Sequence, residues 1–187
     1  MNRKKLLMMM EIAIFASIGL VLDQLSFKIV PQGGSISLVM LPIIFISLRW
    51  GLAAGLTTGL LVGVLQMMFG AYILHWAQAL LDYVVAFTAI GLAGVLRRPI
   101  QHTVKAHQLN KLSIYVLLAT CIGGVLRFIA HVLAGVVFFK EYAGDQNVWL
   151  YAITYNATFM LPAIILTAIV TVLLVKASPK LIQANHH

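Results

Sequence analysis

Residues 126–139 read LRFIAHVLAGVVFF and close an apolar run that begins near Lys111. Arg127 and His131 interrupt it four residues apart, so on a helix they share one face. Composition decides what kind of helix this is. Of 187 residues, 61% are hydrophobic and only 10% are charged, where a soluble domain has about a quarter charged. The apolar runs reach the roughly 20 residues that a bilayer crossing needs. The fold class is therefore an all-α integral membrane domain, and an arginine this far along such a helix calls for a partner or a water-filled cavity. Asp82 and Asn156, in two other apolar runs, pose the same demand.

Outward from this stretch, the pattern predicts six transmembrane helices over 6–22, 36–48, 51–69, 77–96, 111–139 and 148–175, forming a single domain over 1–187. The first follows Arg3-Lys4-Lys5 without a convincing small-residue cleavage site and reads as a retained helix. Ala13 and Ser17 give it a small face for close packing within the chain or for docking another membrane subunit. Pro31-Gln32-Gly33-Gly34 marks a turn or re-entrant segment before the second helix, which is short and interrupted by Pro42. Gly51, Gly55, Gly59 and Gly63 make a nearly side-chain-free stripe on the third, with close helix packing as its default use. The aromatic connection Gly70–Trp76 either lies in the membrane interface or folds over a cavity as a lid. Arg97–Leu109 reads as a solvated basic loop. His186-His187 has the look of a tag remnant and carries no functional reading.

Orientation follows from the basic residues. With both termini cytoplasmic, ten of the thirteen Lys and Arg fall in inner tails and connections, and only Lys28 and Lys140 fall outside. The net charge of +8 is thus a topology signal and not a nucleic-acid footprint. Cys121 lies alone in an apolar run, and no Cys/His cluster has metal spacing. There is no G-x-x-x-x-G-K-[ST] phosphate loop, and neither H-E-x-x-H nor G-x-S-x-G appears. A membrane hydrolase using Ser35 or Ser37 with His131 lacks any nucleophile turn.

On this topology Asp82, Arg127, His131, Tyr151 and Asn156 all lie in the outer halves of their helices, level with Ser35, Ser37, Tyr72 and Phe139. Asp82 sits roughly 8 Å below its helix end. The inner halves are nearly all apolar or glycine. One-sided polarity describes an outward-facing pocket, where a channel would carry polar groups along its whole path. Asp82 suits a cation or Arg127, as a structural ion pair. Tyr72, Phe139, Tyr151 and His131 offer flat faces for stacking and cation–π contact. Asn156 can donate and accept at a heteroaromatic edge. A small, flat, cationic heterocycle meets these demands.

SLRWGLAAGLTTGL (47–60), QALLDYVVAF (78–87), LRFIAHVLAGVVFF (126–139) and WLYAITYNATFMLP (149–162) resemble the ThiT family, the thiamine-specific S-components of energy-coupling factor (ECF) transporters. The resemblance covers nearly the whole chain and includes the six-helix layout. It implies a substrate-binding subunit in the cell membrane. Such a subunit captures thiamine from outside and works with an ECF transmembrane coupling subunit and two cytoplasmic ATPase subunits. It implies no cofactor, no metal and no enzymatic activity. By resemblance, Asp82 faces the thiazolium cation, and His131 and Phe139 sandwich its ring. Tyr72 contacts the ligand from the loop, Tyr151 and Asn156 lie on the aminopyrimidine side, and Arg127 is a structural charge beneath the site. Ala13 and Ser17 become the docking face for the coupling subunit. Some members carry Trp and Glu before helix two; here Gln32-Gly-Gly-Ser-Ile-Ser37 stands there, leaving Ser35, Ser37, Gln32 or backbone groups to serve that side. Some members have Trp in place of Phe139, which weakens cation–π attraction here. An S-component for another aromatic vitamin, such as riboflavin, is the alternative.

Overall fold

The computed structural model of the chain describes residues 2–28 and 34–184. Its helices are α1 (Arg3–Gln24), α2 (Met40–Trp50), α3 (Leu52–Met68), α4 (Trp76–Lys105), α5 (Leu109–Phe138) and α6 (Val148–Ala177). Between α1 and α2 lies a small antiparallel ribbon, β1 (Phe27–Lys28) with β2 (Ser35–Ile36), in which Phe27 pairs with Ile36 and Lys28 with Ser35. The expected turn at Pro31, Gln32 and Gly33 lies outside the described residues, as does His186-His187.

Among the described residues, four helices, α1, α4, α5 and α6, are long and apolar enough to cross a membrane. The last three have 30 residues each, about 45 Å of helix against about 30 Å of hydrocarbon. Their outer faces carry exposed Ile14, Val21, Leu117, Leu118, Ile165 and Leu173. In water such surface would drive association; toward lipid chains it is the expected covering. The protein is an all-α membrane bundle.

α2 explains why a short helix can be apolar all round. Met40, Ile43, Ile44, Ile46 and Leu48 have no exposed surface. It is the centre of the bundle, enclosed by its neighbours on every side. Two expectations about it are corrected. It starts at Met40 and not at residue 36, because Ser35-Ile36 is committed to the ribbon. Pro42 does not interrupt it, because it falls in the first turn, where the missing N–H has no intrahelical partner to lose. Gly51, at φ +99°, ends α2 and starts α3 within a single residue.

The glycine ladder of α3 packs on α4, as its spacing predicts. A Cβ on Gly59 would lie 2.2 Å from the Phe87 carbonyl oxygen, and one on Gly63 would lie 2.3 Å from that of Tyr83. α4 answers with Gly91, where a Cβ would meet the Leu56 nitrogen at 2.3 Å. α4 is irregular at two of these contacts: Tyr83 lies in a π-helical turn, Leu80–Val85, and Gly91 begins a 3-10 stretch, Gly91–Leu96, whereas Phe87 lies in the regular turn between them. The basic segment after it is not a loop. Arg97–Lys105 continues as helix, burying Ile100, Thr103 and Val104 while exposing His102 and Lys105. This surface helix is amphipathic, and its charge density obscured its apolar side.

The end of the bundle away from the ribbon is clasped by one arginine. Arg49, at the end of α2, donates from Nε and Nη2 to the Glu11 carboxylate at 2.7 and 2.9 Å. The Trp50 indole donates to the same carboxylate at 2.6 Å. Arg49 Nη1 reaches the carbonyls of Leu181, at 2.8 Å, and Gln183. Gln101 Nε2 adds bonds to the carbonyls of Leu48 and Ile182. α1, α2, α4 and the C-terminal segment are thereby held together.

Candidate functional site

A cavity of about 380 Å³ lies at the end of the bundle that carries Lys28 of the ribbon, Gly70 and Phe139. It is lined by charged and amide side chains (Asp23, Gln66, Gln78, Asp82, Arg127, Asn156) and by the rings of Tyr72, Tyr83, Phe87, His131, Phe139, Tyr151, Tyr155 and Phe159. Farther along the same helices the interior is closed by Met40, Ile44, Ile90, Val116 and Met160.

Its polar wall is a directed chain of hydrogen bonds. Arg127 Nε donates to His131 Nε2 at 3.2 Å. A guanidinium can only donate, so that imidazole nitrogen accepts and the ring proton sits on Nδ1. Nδ1 faces Asp82 Oδ1 at 2.9 Å and donates to it. Asp82 Oδ2 takes a further bond from Gln78 Nε2 at 2.7 Å. Two carboxylate oxygens are thus fixed by neutral donors, and the Asp82 charge stays available to a cation. Arg127 is 7% exposed, and its guanidinium lies 4.3 Å from the Phe87 ring centre. The expected Asp82–Arg127 ion pair is corrected: His131 stands between the two.

The π-helical turn contributes to this wall. It adds a residue to the helix repeat around Asp82, displacing its direction from that of a regular helix. Gln78, one turn earlier, also holds the Gly70–Trp76 connection: its Oε1 accepts from Leu74 N, and its Nε2 donates to the Tyr72 carbonyl. Tyr83 Oη accepts from Tyr72 N at 3.0 Å. The connection is therefore tied across the cavity by residues of the helix that follows it.

Aromatic rings form two groups. Tyr72 and Phe139 lie 6.4 Å apart at 30°, and Tyr142 adjoins Phe139 at 6.0 Å. On α6, Tyr151 stacks on Tyr155 at 5.8 Å, and Phe159 meets Tyr155 and His131 edge-on. Asn156, 5% exposed, donates from Nδ2 to the Ala152 carbonyl at 2.8 Å and to that of His131 at 3.4 Å.

Of the residues singled out from sequence, Asp82, His131, Phe139, Tyr72, Tyr151, Asn156, Ser35 and Arg127 all line this cavity. Ser37 does not: it is buried behind the wall, where its Oγ donates to Asp23 at 3.5 Å and accepts from Val39 N at 3.4 Å. Gln32 lies outside the described residues. Asp23, Tyr83, Tyr155 and Phe159 belong to the lining but were not among the expected residues. Asp23 ends a helix, where a carboxylate excites no suspicion. Gln66 was visible as the one strongly polar side chain inside α3.

On α1 the small residues divide. Ala16 and Gly19 are buried, with a Gly19 Cβ position 3.0 Å from Val62, whereas Ala13 and Ser17 are exposed beside Ile14 and Ile18.

Residues 9–183 match the family model described as Thiamine transporter protein (Thia_YuaJ). The chain is 44% identical over 186 residues to the thiamine transporter ThiT of Bacillus subtilis, covering 97% of each chain. It is 29% identical over 189 residues to the ThiT of Lacticaseibacillus paracasei, covering 98% of this chain and 94% of that one. The solved structure of ThiT from Listeria monocytogenes superposes with a TM-score of 0.91 at 36% identity, covering 97% of this chain and all of that one.

Proposed function

Because the chain belongs to the Thia_YuaJ family of thiamine transporter proteins, we propose that it binds thiamine at the cavity described above and serves its uptake as the S-component of an ECF transporter. The protein is a transporter component and not an enzyme. The observation that carries the binding reading is the Asp82 carboxylate, fixed by His131 and Gln78 and facing a cavity walled by aromatic rings. Thiamine is a small cation whose charge resides in a flat thiazolium ring. A carboxylate with neutral hydrogen-bond partners attracts that charge, and the rings of His131, Phe139 and Tyr72 supply faces for it. Tyr151 and Asn156 serve the aminopyrimidine. Ser35 lies at the ribbon edge of the same space, and Ser37 acts through Asp23.

The cavity opens to the outside of the cell membrane in this reading. The charge count supports it, since the helix ends around the cavity carry Lys28 and Lys140, and the opposite ends carry the basic excess. An apolar interior below the cavity leaves no continuous path, so release to the cytoplasm needs partner subunits. These are the ECF coupling subunit, docking on the exposed Ala13–Ser17 face of α1, and two ATPases. The absence of a phosphate loop in this sequence agrees with that division of labour.

Equilibrium binding of thiamine to the purified protein tests the reading, followed by quenching of intrinsic fluorescence. Thiamine raises the melting temperature in proportion to occupancy, whereas riboflavin leaves it unmoved. Asp82→Asn keeps the shape and removes the charge, and weakens binding roughly tenfold to a hundredfold. Unchanged affinity in that variant would remove Asp82 from the site.

A further inference from the structure

The end of the bundle opposite the Asp82 cavity holds a second concave space, of about 450 Å³. Arg97, Arg98, Gln101, His102 and Lys105 of α4 line it, and the C-terminal segment borders it at Gln183 and Ala184. Their spacing puts these five α4 side chains on one side of the helix, while Ile100, Thr103 and Val104 are buried on the other. The cleft is anchored from behind. Gln101 Nε2 donates to the carbonyls of Leu48 and Ile182, at 3.1 and 2.6 Å, and Arg97 Nε donates to that of Arg49 at 2.9 Å. Three elements, α2, α4 and the C-terminal segment, therefore fix its shape.

The charge of this cleft is uncompensated. Among the described residues no carboxylate lines it, and none of Arg97, Arg98 and Lys105 makes an ion pair. The chain has five acidic side chains. Asp23 and Asp82 line the other cavity, Glu141 and Asp145 follow α5 at that same end, and Glu11 is taken by Arg49 and Trp50. Like charges one turn apart on a helix repel. The helix dipole favours cations in the last turn, which accounts for His102 and Lys105 but not for Arg97 and Arg98. A bound anion accounts for all four. Two guanidinium forks, an ammonium and an imidazole around one concavity are the donor set of a phosphate group. The flanks of the cleft are apolar: Val95, just ahead of Arg97, is 60% exposed, and Leu181 is 43% exposed. A phosphate held here can thus carry acyl chains that lie against the outer surface of the bundle, as basic pockets beside membrane helices hold anionic headgroups.

We propose that this cleft is a phosphate site, built by Arg97, Arg98, His102 and Lys105, which takes the headgroup of an anionic phospholipid. The site is independent of the thiamine cavity and lies at the other end of the same helices. A soluble phosphate offers the same chemistry to the same donors, without the apolar flanks. A headgroup in the cleft neutralises the repulsion along α4 and ties that helix to the C-terminal segment.

The purified full chain in a neutral detergent is titrated with phosphatidylglycerol, phosphatidylcholine and inorganic phosphate. Bound lipid is counted by native mass spectrometry, and stability is read from the melting temperature. Phosphatidylglycerol binds and raises the melting temperature by mass action. Phosphatidylcholine, whose ammonium offsets its phosphate, binds roughly tenfold more weakly or worse. Arg98→Gln with Lys105→Gln weakens phosphatidylglycerol by roughly tenfold to thirtyfold. Arg3→Gln with Lys5→Gln removes as many charges from the same end of the bundle and leaves the affinity unchanged. All four side chains are exposed, so both double variants keep the circular dichroism of the parent. Stabilisation by phosphatidylglycerol alone makes the ligand a lipid headgroup. Equal stabilisation by inorganic phosphate, lost in the Arg98 and Lys105 variant, keeps the phosphate site and overturns the lipid as its source. Equal weakening by the two double variants reduces the effect to diffuse attraction and overturns the site. A parent that ignores inorganic phosphate and holds the two lipids alike overturns it as well.

Discussion

At the residue scale, the rare polar groups of an apolar chain were the legible part of the site. Asp82, Arg127, His131 and Asn156 each stand out because a membrane helix tolerates them only with a reason. Their arrangement was less legible, since depth along a helix says nothing about which side chain stands between two others. His131 lies between Arg127 and Asp82 and turns an expected ion pair into a chain of hydrogen bonds. This chain sets the strength demanded of the aromatic wall. Phe139 adjoins Tyr72 at 6.4 Å and has room to act on a bound cation by its face. Phe139→Trp, which enlarges the ring quadrupole, tightens thiamine binding by roughly twofold to fivefold, whereas Phe139→Leu weakens it by at least as much. Titrations of the two variants beside the parent check the sign. A weaker Phe139→Trp complex would show that the ring packs only against Tyr72 and Tyr142 and does not cover the ligand.

At the scale of elements, hydropathy located the helices because length and apolarity are summed over many residues and survive local error. The boundaries failed where a local hydrogen-bond pattern overrides composition. Ile36 looks helical by its apolar successors but is held in the ribbon by Phe27. Arg97–Lys105 looks like a loop by its charge, yet Ile100 and Val104 give it a buried side. The π-helical turn at Leu80–Val85 leaves no mark in composition, although it directs Asp82. The Gly51–Gly63 ladder was legible, because only backbone contact rewards such a stripe. That contact makes α3 a sensitive element. A methyl group at Gly59 meets backbone, the Phe87 carbonyl at 2.2 Å, and no flexible side chain can yield. Gly59→Ala therefore costs about 1–3 kcal/mol of stability. It also pushes on the turn after Asp82, so thiamine affinity falls along with the melting temperature in detergent. A Gly59→Ala protein that melts like the parent would mean that the two helices separate freely.

At the scale of the molecule, two ends with different chemistry divide the work. One end gathers the polar side chains around a cavity and carries Lys28 and Lys140. The other carries the basic excess and is fastened by Arg49, which joins Glu11 of α1 to the C-terminal segment. The clasp fixes the N-terminal half of α1, while the C-terminal end of the same helix delivers Asp23 to the cavity. In the proposed reading as an S-component, the cavity faces the medium and the clasped end faces the partners. Orientation can be read directly in cells after Cys121→Ser removes the one native thiol. Lys140 and Lys105 are both exposed, at opposite ends of the bundle. A cysteine placed by Lys140→Cys reacts with a membrane-impermeant maleimide in intact cells, and one placed by Lys105→Cys reacts only once the membrane is permeabilised. Saturating thiamine leaves the inner cysteine unaffected and slows the outer one, which adjoins Phe139 at the cavity mouth. The reverse labelling pattern would turn the cavity toward the cytoplasm and end its reading as a capture site.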